Sequence, residues 1–173
     1  MHVVILAGGK SSRMGEDKAL MFNTVERLQL ILEGHNDVNT VVLCGGPERN
    51  ALFSGTVWND PQGSKGVLDV IKWARKRIDD DVLILPCDAF NLNAESVDWL
   101  LQHTLNGGVA VDSAGQRQPT VSVLPKSVAL PSEATTLRAY TERLPTLHHP
   151  EGGSLYDNFN RPSDLKGLSG RRP

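Results

Sequence analysis

Cysteine is scarce: Cys44 and Cys87 are the only two in 173 residues, each ends a strand-like run, and neither belongs to a CxxC pair. That excludes a disulfide framework and the clustered thiolates of a structural zinc site. The expectation is two reduced, partly buried thiols. Long apolar runs are also missing, with nothing near the ~18 residues of a membrane span. The N-terminus has neither the basic flank nor the apolar core of a secretory signal, so the expectation is a soluble cytosolic protein that engages no membrane. Charge of one sign is not in excess: the formal net charge is -2. With no general attraction to nucleic acid, an anionic ligand must be held by local positive groups.

What is present fits one globular domain over residues 1–173, with a polar tail from about residue 163. Strand-like runs rich in β-branched residues occupy 2–7, 40–44, 81–86, 108–112 and 119–125, and helix-like segments occupy 24–34, 66–78 and 93–104. Strands alternating with helices imply an α/β fold in which βαβ crossovers cover a mainly parallel sheet on both faces, a Rossmann-like three-layer αβα sandwich. The near-continuous apolar character of 2–7 and 81–86 places those strands centrally. In 66–78, Val67, Val70, Ile71 and Ala74 follow helical spacing, and Lys72, Arg75 and Lys76 fall on the other face, read as solvated. After residue 113 the alternation weakens.

The stretch "LAGGKSSRMGEDKAL" (6–20) follows the first strand. In an open parallel sheet, ligands bind outside the carboxyl ends of the strands, and this segment leaves at that edge. Gly8 and Gly9 let backbone N–H groups approach an anion without a Cβ in the way, and Lys10, Arg13 and Lys18 supply charge, offset by Glu16 and Asp17. Two familiar phosphate loops are excluded by spacing. Val4 stands where GxxxxGK[ST] needs its first glycine, and the adjacent Gly8-Gly9 break GxGxxG. His148-His149 has no third ligand at recognisable spacing and is not read as a metal site.

Leu6, Gly8, Gly9, Ser11, Arg13, Met14, Gly15, Asp17 and Lys18 together match LxGGxSxRMGxDK. In this the chain resembles the MobA-like nucleotidyltransferases, the molybdenum cofactor guanylyltransferase family. The likeness continues through "WNDPQGSKGVLDVI" (58–71), "LILPCDAF" (83–90), "QPTVSVL" (118–124) and "NFNRPSDL" (158–165). It implies a nucleotide-diphospho-sugar transferase-like sandwich that transfers GMP from GTP to the terminal phosphate of molybdenum-molybdopterin, releasing pyrophosphate. It also implies Mg²⁺ as cofactor, and hand-over of the labile product makes transient contacts with cofactor-inserting chaperones or molybdoenzymes plausible.

The resemblance assigns Asp88 to the metal and nucleotide; read alone, a carboxylate just past a strand end suits Mg²⁺ and equally suits a helix or turn cap. Asp60 belongs to the nucleotide site by resemblance, and to an Asp-Pro turn on local reading. Asn158 and Asn160, two apart, point to one side of an extended segment. By resemblance they line the acceptor region; a turn before Pro162 is the local alternative. Backbone around Leu6 and Ala7 is expected to read the base, Gly8 and Gly9 to cradle the nucleotide, and Arg13 and Lys18 to neutralise the triphosphate.

An acceptor phosphate monoester with a second pKa of about 6 is already a dianionic nucleophile near pH 7. The lack of any Ser/His/Asp or Cys/His constellation therefore agrees with this chemistry. Three departures stand out: no Gly-Lys-Pro element follows "DKAL", Gly66-Val67-Leu68 replaces the usual Gly-Pro-Leu, and Cys44 stands where the molybdenum branch often has Asn. The alternatives are a CTP-dependent molybdopterin cytidylyltransferase, a relative acting on cobinamide phosphate or a sugar phosphate, and a regulatory nucleotide-binding module without turnover.

Overall fold

The computed structural model describes residues 1–9 and 17–167. In chain order the regular elements are β1 (His2–Leu6), α1 (Thr24–Glu33), β2 (Asn39–Leu43), β3 (Thr56–Trp58), α2 (Val67–Arg77), β4 (Val82–Pro86), α3 (Ala94–Leu101), β5 (Gly108–Val111), β6 (Arg117–Leu124), α4 (Leu137–Tyr140) and β7 (Thr146–Leu147). They form one seven-stranded sheet in the order β3-β2-β1-β4-β6-β5-β7. β1 pairs in parallel with both β2 and β4, in register through Leu6↔Leu43 and Leu6↔Pro86. The expected central strands therefore occupy the middle of the sheet. β6 is antiparallel to β4 and to β5, so the sheet is mixed.

Alternation along each strand divides the core. Val3, Ile5, Leu83, Leu85, Val121 and Val123 pack with Val25, Leu28 and Leu32 of α1 and Val97 and Leu100 of α3. Val4, Val82, Ile84, Val109 and Leu124 point the other way, onto Leu68, Ile71 and Ala74 of α2 and Tyr140 of α4. This is the three-layer αβα arrangement, with β1 and β4 buried on both faces. Asn93 opens α3 with a capping box: its Oδ1 accepts from Ser96 N and Ser96 Oγ accepts from Asn93 N, which satisfies two N-terminal donors.

The cations of α2 are not simply solvated. Lys72 Nζ donates to Ser132 O and Ala134 O, and Arg75 Nη2 donates to Pro125 O and Val128 O, each at 2.6 to 2.8 Å. They satisfy carbonyls of the irregular chain that follows β6, which helical periodicity could not reveal. Cys44 and Cys87 are buried and unpaired. Among the described residues no helix is long and apolar enough to cross a membrane.

Leu85, fully buried in the central strand β4, tests this core. Leu85→Ala is expected to lower unfolding free energy in urea by about 2–5 kcal/mol, the usual range for a buried leucine.

Candidate active site

The carboxyl ends of β1 and β4 open onto a cleft of about 700 Å³, lined among others by Gly8, Gly9, Lys18, Asp60, Lys65 and Asp88. β1 delivers the two glycines, the chain after β3 delivers Asp60, β4 delivers Asp88, and Ser64-Lys65-Gly66 enters from the start of α2. Thr120 of β6 closes one side. Arg13 lies outside the described residues.

Lys18 is the meeting point. Its ammonium donates to Asp88 Oδ2 at 2.8 Å and to Asn160 Oδ1 at 3.0 Å. Both members of the Lys18–Asp88 pair are largely covered, at 12% and 19% side-chain exposure, so the charges face one another through little water and attract more strongly than surface ions. Residues 18, 88 and 160 are far apart in sequence; the contact exists because the C-terminal segment folds back, with Phe159 N donating to Asp88 O at 3.3 Å. Asp164 fixes that return: its Oδ2 accepts from Asn160 N and Arg161 N, each at 2.9 Å. Those amide donors hold its carboxyl below the usual range.

The two asparagines part company. Asn160 joins Lys18, whereas Asn158 Nδ2 donates to Gln118 Oε1 at 2.6 Å, and Gln118 in turn donates to Asp112. Asn158 Oδ1 is buried and finds no partner among the described residues. The oxygens of Asp88 and Asn160 fit Mg²⁺, which binds through one or two carboxylates completed by substrate phosphates. Among the described residues no group of three or more His, Cys, Asp or Glu converges, so the phosphates would have to complete the shell.

The adjacent glycines do different things. A Cβ on Gly8 would stand 2.9 Å from Gly45 N and 3.0 Å from Asp60 Oδ2, whereas a Cβ on Gly9 would meet nothing within 4 Å. Gly8 is thus a packing requirement between strand exits, and Gly9 borders open space. Asp60 N donates to Gly45 O at 2.7 Å, which seats its carboxylate against Gly8. Burial raises the Asp60 pKa against the opposing pull of the Gly45 amide and the Arg49 charge, and Asp60 Oδ1 is buried without a partner among the described residues.

Leu6 lines the cleft, but its carbonyl accepts from Cys87 N. Ala7 is fully buried; its N–H goes to Leu43 O and its carbonyl accepts from Arg49. Both backbone groups of Ala7 thus have partners within the protein, the carbonyl keeping a second lone pair.

Arg49, Lys65 and Thr120 carry no expectation from the sequence. Arg49 lies on a short 3-10 helix after β2 and pairs with Asp17, an interaction that raises the Arg49 pKa further. Asp17 also caps the turn that follows, its Oδ1 accepting from Ala19 N at 3.0 Å. The signal for Lys65 and Thr120 was present in "GSKG" and "QPTV", but only the fold turns those segments toward Asp88. Where the family's Gly-Lys-Pro element is absent, Phe22 and Asn23 adopt left-handed conformations, φ 53° and 49°, and the chain passes into α1. The Phe22 ring meets Phe90 edge-on at 5.0 Å, and Phe90 stacks on Phe159 at 5.3 Å.

The glycine contrast predicts that Gly8→Ala costs about 1–3 kcal/mol in urea denaturation, because Gly45 backbone or Asp60 must move. Gly9→Ala is expected to stay within about 0.5 kcal/mol of wild type.

Comparison with known proteins gives the family and the fold. The MobA-like NTP transferase domain matches residues 3–148. A probable molybdenum cofactor guanylyltransferase of Carboxydothermus hydrogenoformans is 31% identical over 132 residues, 74% of this chain and 67% of the relative. One from Synechococcus elongatus is 38% identical over 94 residues, a stretch spanning 49% of this chain and 48% of that relative. Among solved structures, molybdopterin-guanine dinucleotide biosynthesis protein A of Archaeoglobus fulgidus superposes with a TM-score of 0.71 at 17% identity, over 98% of this chain and 97% of the other. A 4-diphosphocytidyl-2C-methyl-D-erythritol synthase follows at 0.67 and 17%, over 96% and 95%. At those identities the structural matches speak for the fold, and the family match together with the sequence relatives shows that this chain belongs to the MobA-like NTP transferase domain family.

Proposed function

We propose that the chain is a molybdenum cofactor guanylyltransferase, joining GMP from GTP to the terminal phosphate of molybdenum-molybdopterin and releasing pyrophosphate. The observation that carries this reading is the Lys18 ammonium held between Asp88 and Asn160 beside Gly8 and Gly9. It puts a cation and a carboxylate at one point of a cleft large enough for a nucleotide, and the family's chemistry needs both there. An oxygen of the acceptor phosphate forms a bond to the α-phosphorus while the bond from that phosphorus to the β-phosphate bridging oxygen breaks. The acceptor is already dianionic near pH 7, so the protein's task is alignment and charge neutralisation.

Lys18 would bind triphosphate oxygens and stabilise charge on the departing pyrophosphate, and Arg13 is assigned the same role. Asp88 would hold Mg²⁺, which supplies Lewis acidity at the phosphates when bound. Asn160 orients Lys18, and Asn158 would line the acceptor region, as the resemblance implies. Asp60 would read guanine: it lines the cleft, and an ionised carboxylate can accept pairwise from the base's N–H donors. Gly8 and Gly9 form the wall against which the nucleotide lies.

A pyrophosphate-release assay with Mg²⁺ and molybdenum cofactor, comparing GTP, CTP and ATP, is expected to show turnover with GTP. No release with GTP overturns the reading, and a CTP preference replaces it with the cytidylyl branch. Lys18→Ala and Asp88→Ala are each expected to lower turnover on the order of 10²-fold, the scale for removing one charge-stabilising contact.

Asp60 accepts through both oxygens only when ionised, and burial raises its pKa. GTP affinity is therefore expected to fall on acidification at a higher pH than the ordinary aspartate value of about 3.9 dictates. Asp60→Asn should abolish that pH limb and narrow the GTP-over-CTP preference by on the order of 10-fold. An unchanged profile in titration calorimetry removes Asp60 from base reading.

A further inference from the structure

The Arg49 guanidinium sits between two strand exits and the turn that carries Asp17. Its Nε donates to Cys44 O at 2.6 Å, just past β2, and its Nη2 donates to Ala7 O at 2.7 Å, just past β1. Nη1 and Nη2 also grip the two oxygens of Asp17, the second at 3.3 Å. Four of the five N–H donors that a guanidinium possesses are thereby occupied by the protein, and the side chain is only 17% exposed. Arg49 is therefore not a spare cation for a ligand. Its fork spans three segments at once, which the single compact ammonium of a lysine does not reproduce.

The partners explain what the fork is for. Ala7 immediately precedes Gly8, and Asp17 immediately precedes Lys18. Asp17 carries its hold forward through Ala19 N on Oδ1 and Leu20 N on its carbonyl, both at 3.0 Å. The turn bearing Lys18 is thus tied, through one side chain, to the strand end bearing Gly8. Asp17 is also neutralised, so its charge does not repel phosphates held by its neighbour.

We infer that Arg49 is a positioning residue: by fastening Ala7 and Asp17 to the end of β2 it sets where Lys18 stands relative to Asp88, Asn160 and the glycine wall. The inference rests on the proposed nucleotidyl transfer for its kinetic consequence and on geometry alone for the tie.

Two measurements test it. In the pyrophosphate assay, Arg49→Gln is expected to lower kcat on the order of 10²-fold, the loss that misplacement by about 1 Å brings, and Arg49→Lys should fail to restore it. If Arg49 acts through Lys18, adding Lys18→Ala to Arg49→Gln should cost less than about 3-fold more, since residues acting as a unit are not additive. Fully multiplied losses, or wild-type turnover in Arg49→Lys, overturn the inference.

The second measurement is independent of substrate. Amide hydrogen exchange at Ala19 and Leu20 should accelerate by on the order of 10-fold or more in Arg49→Gln, while Leu83 and Val123 in the central strands stay protected. Unchanged exchange at Ala19 and Leu20 overturns the tie whatever the substrate. The expected acceleration in a protein whose wild type turns over no nucleotide overturns the functional reading and supports the tie.

Discussion

The working edge of this protein depends on two backbones meeting at Gly8 and Gly45. β1 and β2 are in register to Leu6 and Leu43, and two residues later the chains remain so close that a Cβ on either glycine would crowd the other: one on Gly45 would stand 3.1 Å from Gly8 Cα. Gly45 also has φ 91°, a conformation glycine takes without steric penalty. This contact leaves the Gly45 carbonyl free to take Asp60 N, which draws the exit of β3 onto the same wall. Three parallel strands are thereby knitted beyond the sheet, and the cleft gains a backbone wall before any side chain contributes.

Charge is arranged on that wall in pairs. Arg49 takes Asp17 and Lys18 takes Asp88, and the pairs differ in what a ligand can do to them. Arg49 is locked by two carbonyls besides its carboxylate, so a phosphate that displaced Asp17 would gain one contact and strand another buried charge. Lys18 is bound to a carboxylate and an amide oxygen at the cleft surface. In the proposed reaction a phosphate drawing on Lys18 leaves Asp88 needing another cation, because unpaired charge in a partly buried site is costly. Under that proposal a divalent ion arriving with the triphosphate would meet that need, which would couple metal binding to nucleotide binding.

Much of this was legible in the sequence, for identifiable reasons. Strands buried on both faces write themselves as continuous apolar runs, which is why β1 and β4 were placed centrally. Lys18, Asp88 and Asn160 stood out because the segments that carry them resemble the family's motifs; local chemistry alone left Asp88 and Asn160 open between ligand and cap or turn. What local pattern could not supply was tertiary. The reversed direction of β6, the two-residue β7 and the single-turn α4 carry too little periodicity to read, and Arg75 looked solvated because a helical wheel does not show the carbonyls of Pro125 and Val128 packed against it. Arg49 was invisible because its partners lie 32 and 42 positions away. Asp17 appeared to oppose an anion site only because that partner was missing from view.

The absent Gly-Lys-Pro element shows how a local departure is absorbed. The connection from Lys18 to α1 runs through left-handed Phe22 and Asn23, a conformation uncommon outside glycine. Asparagine tolerates it well; phenylalanine does not, and strained residues persist only when their surroundings over-determine them. Here the surroundings are Phe90, two residues past Asp88, and through it Phe159, between the two asparagines. The ring that stabilises the tight turn therefore leans on the segments that carry Asp88 and Asn160, and the departure in sequence is compensated at the site the motif serves.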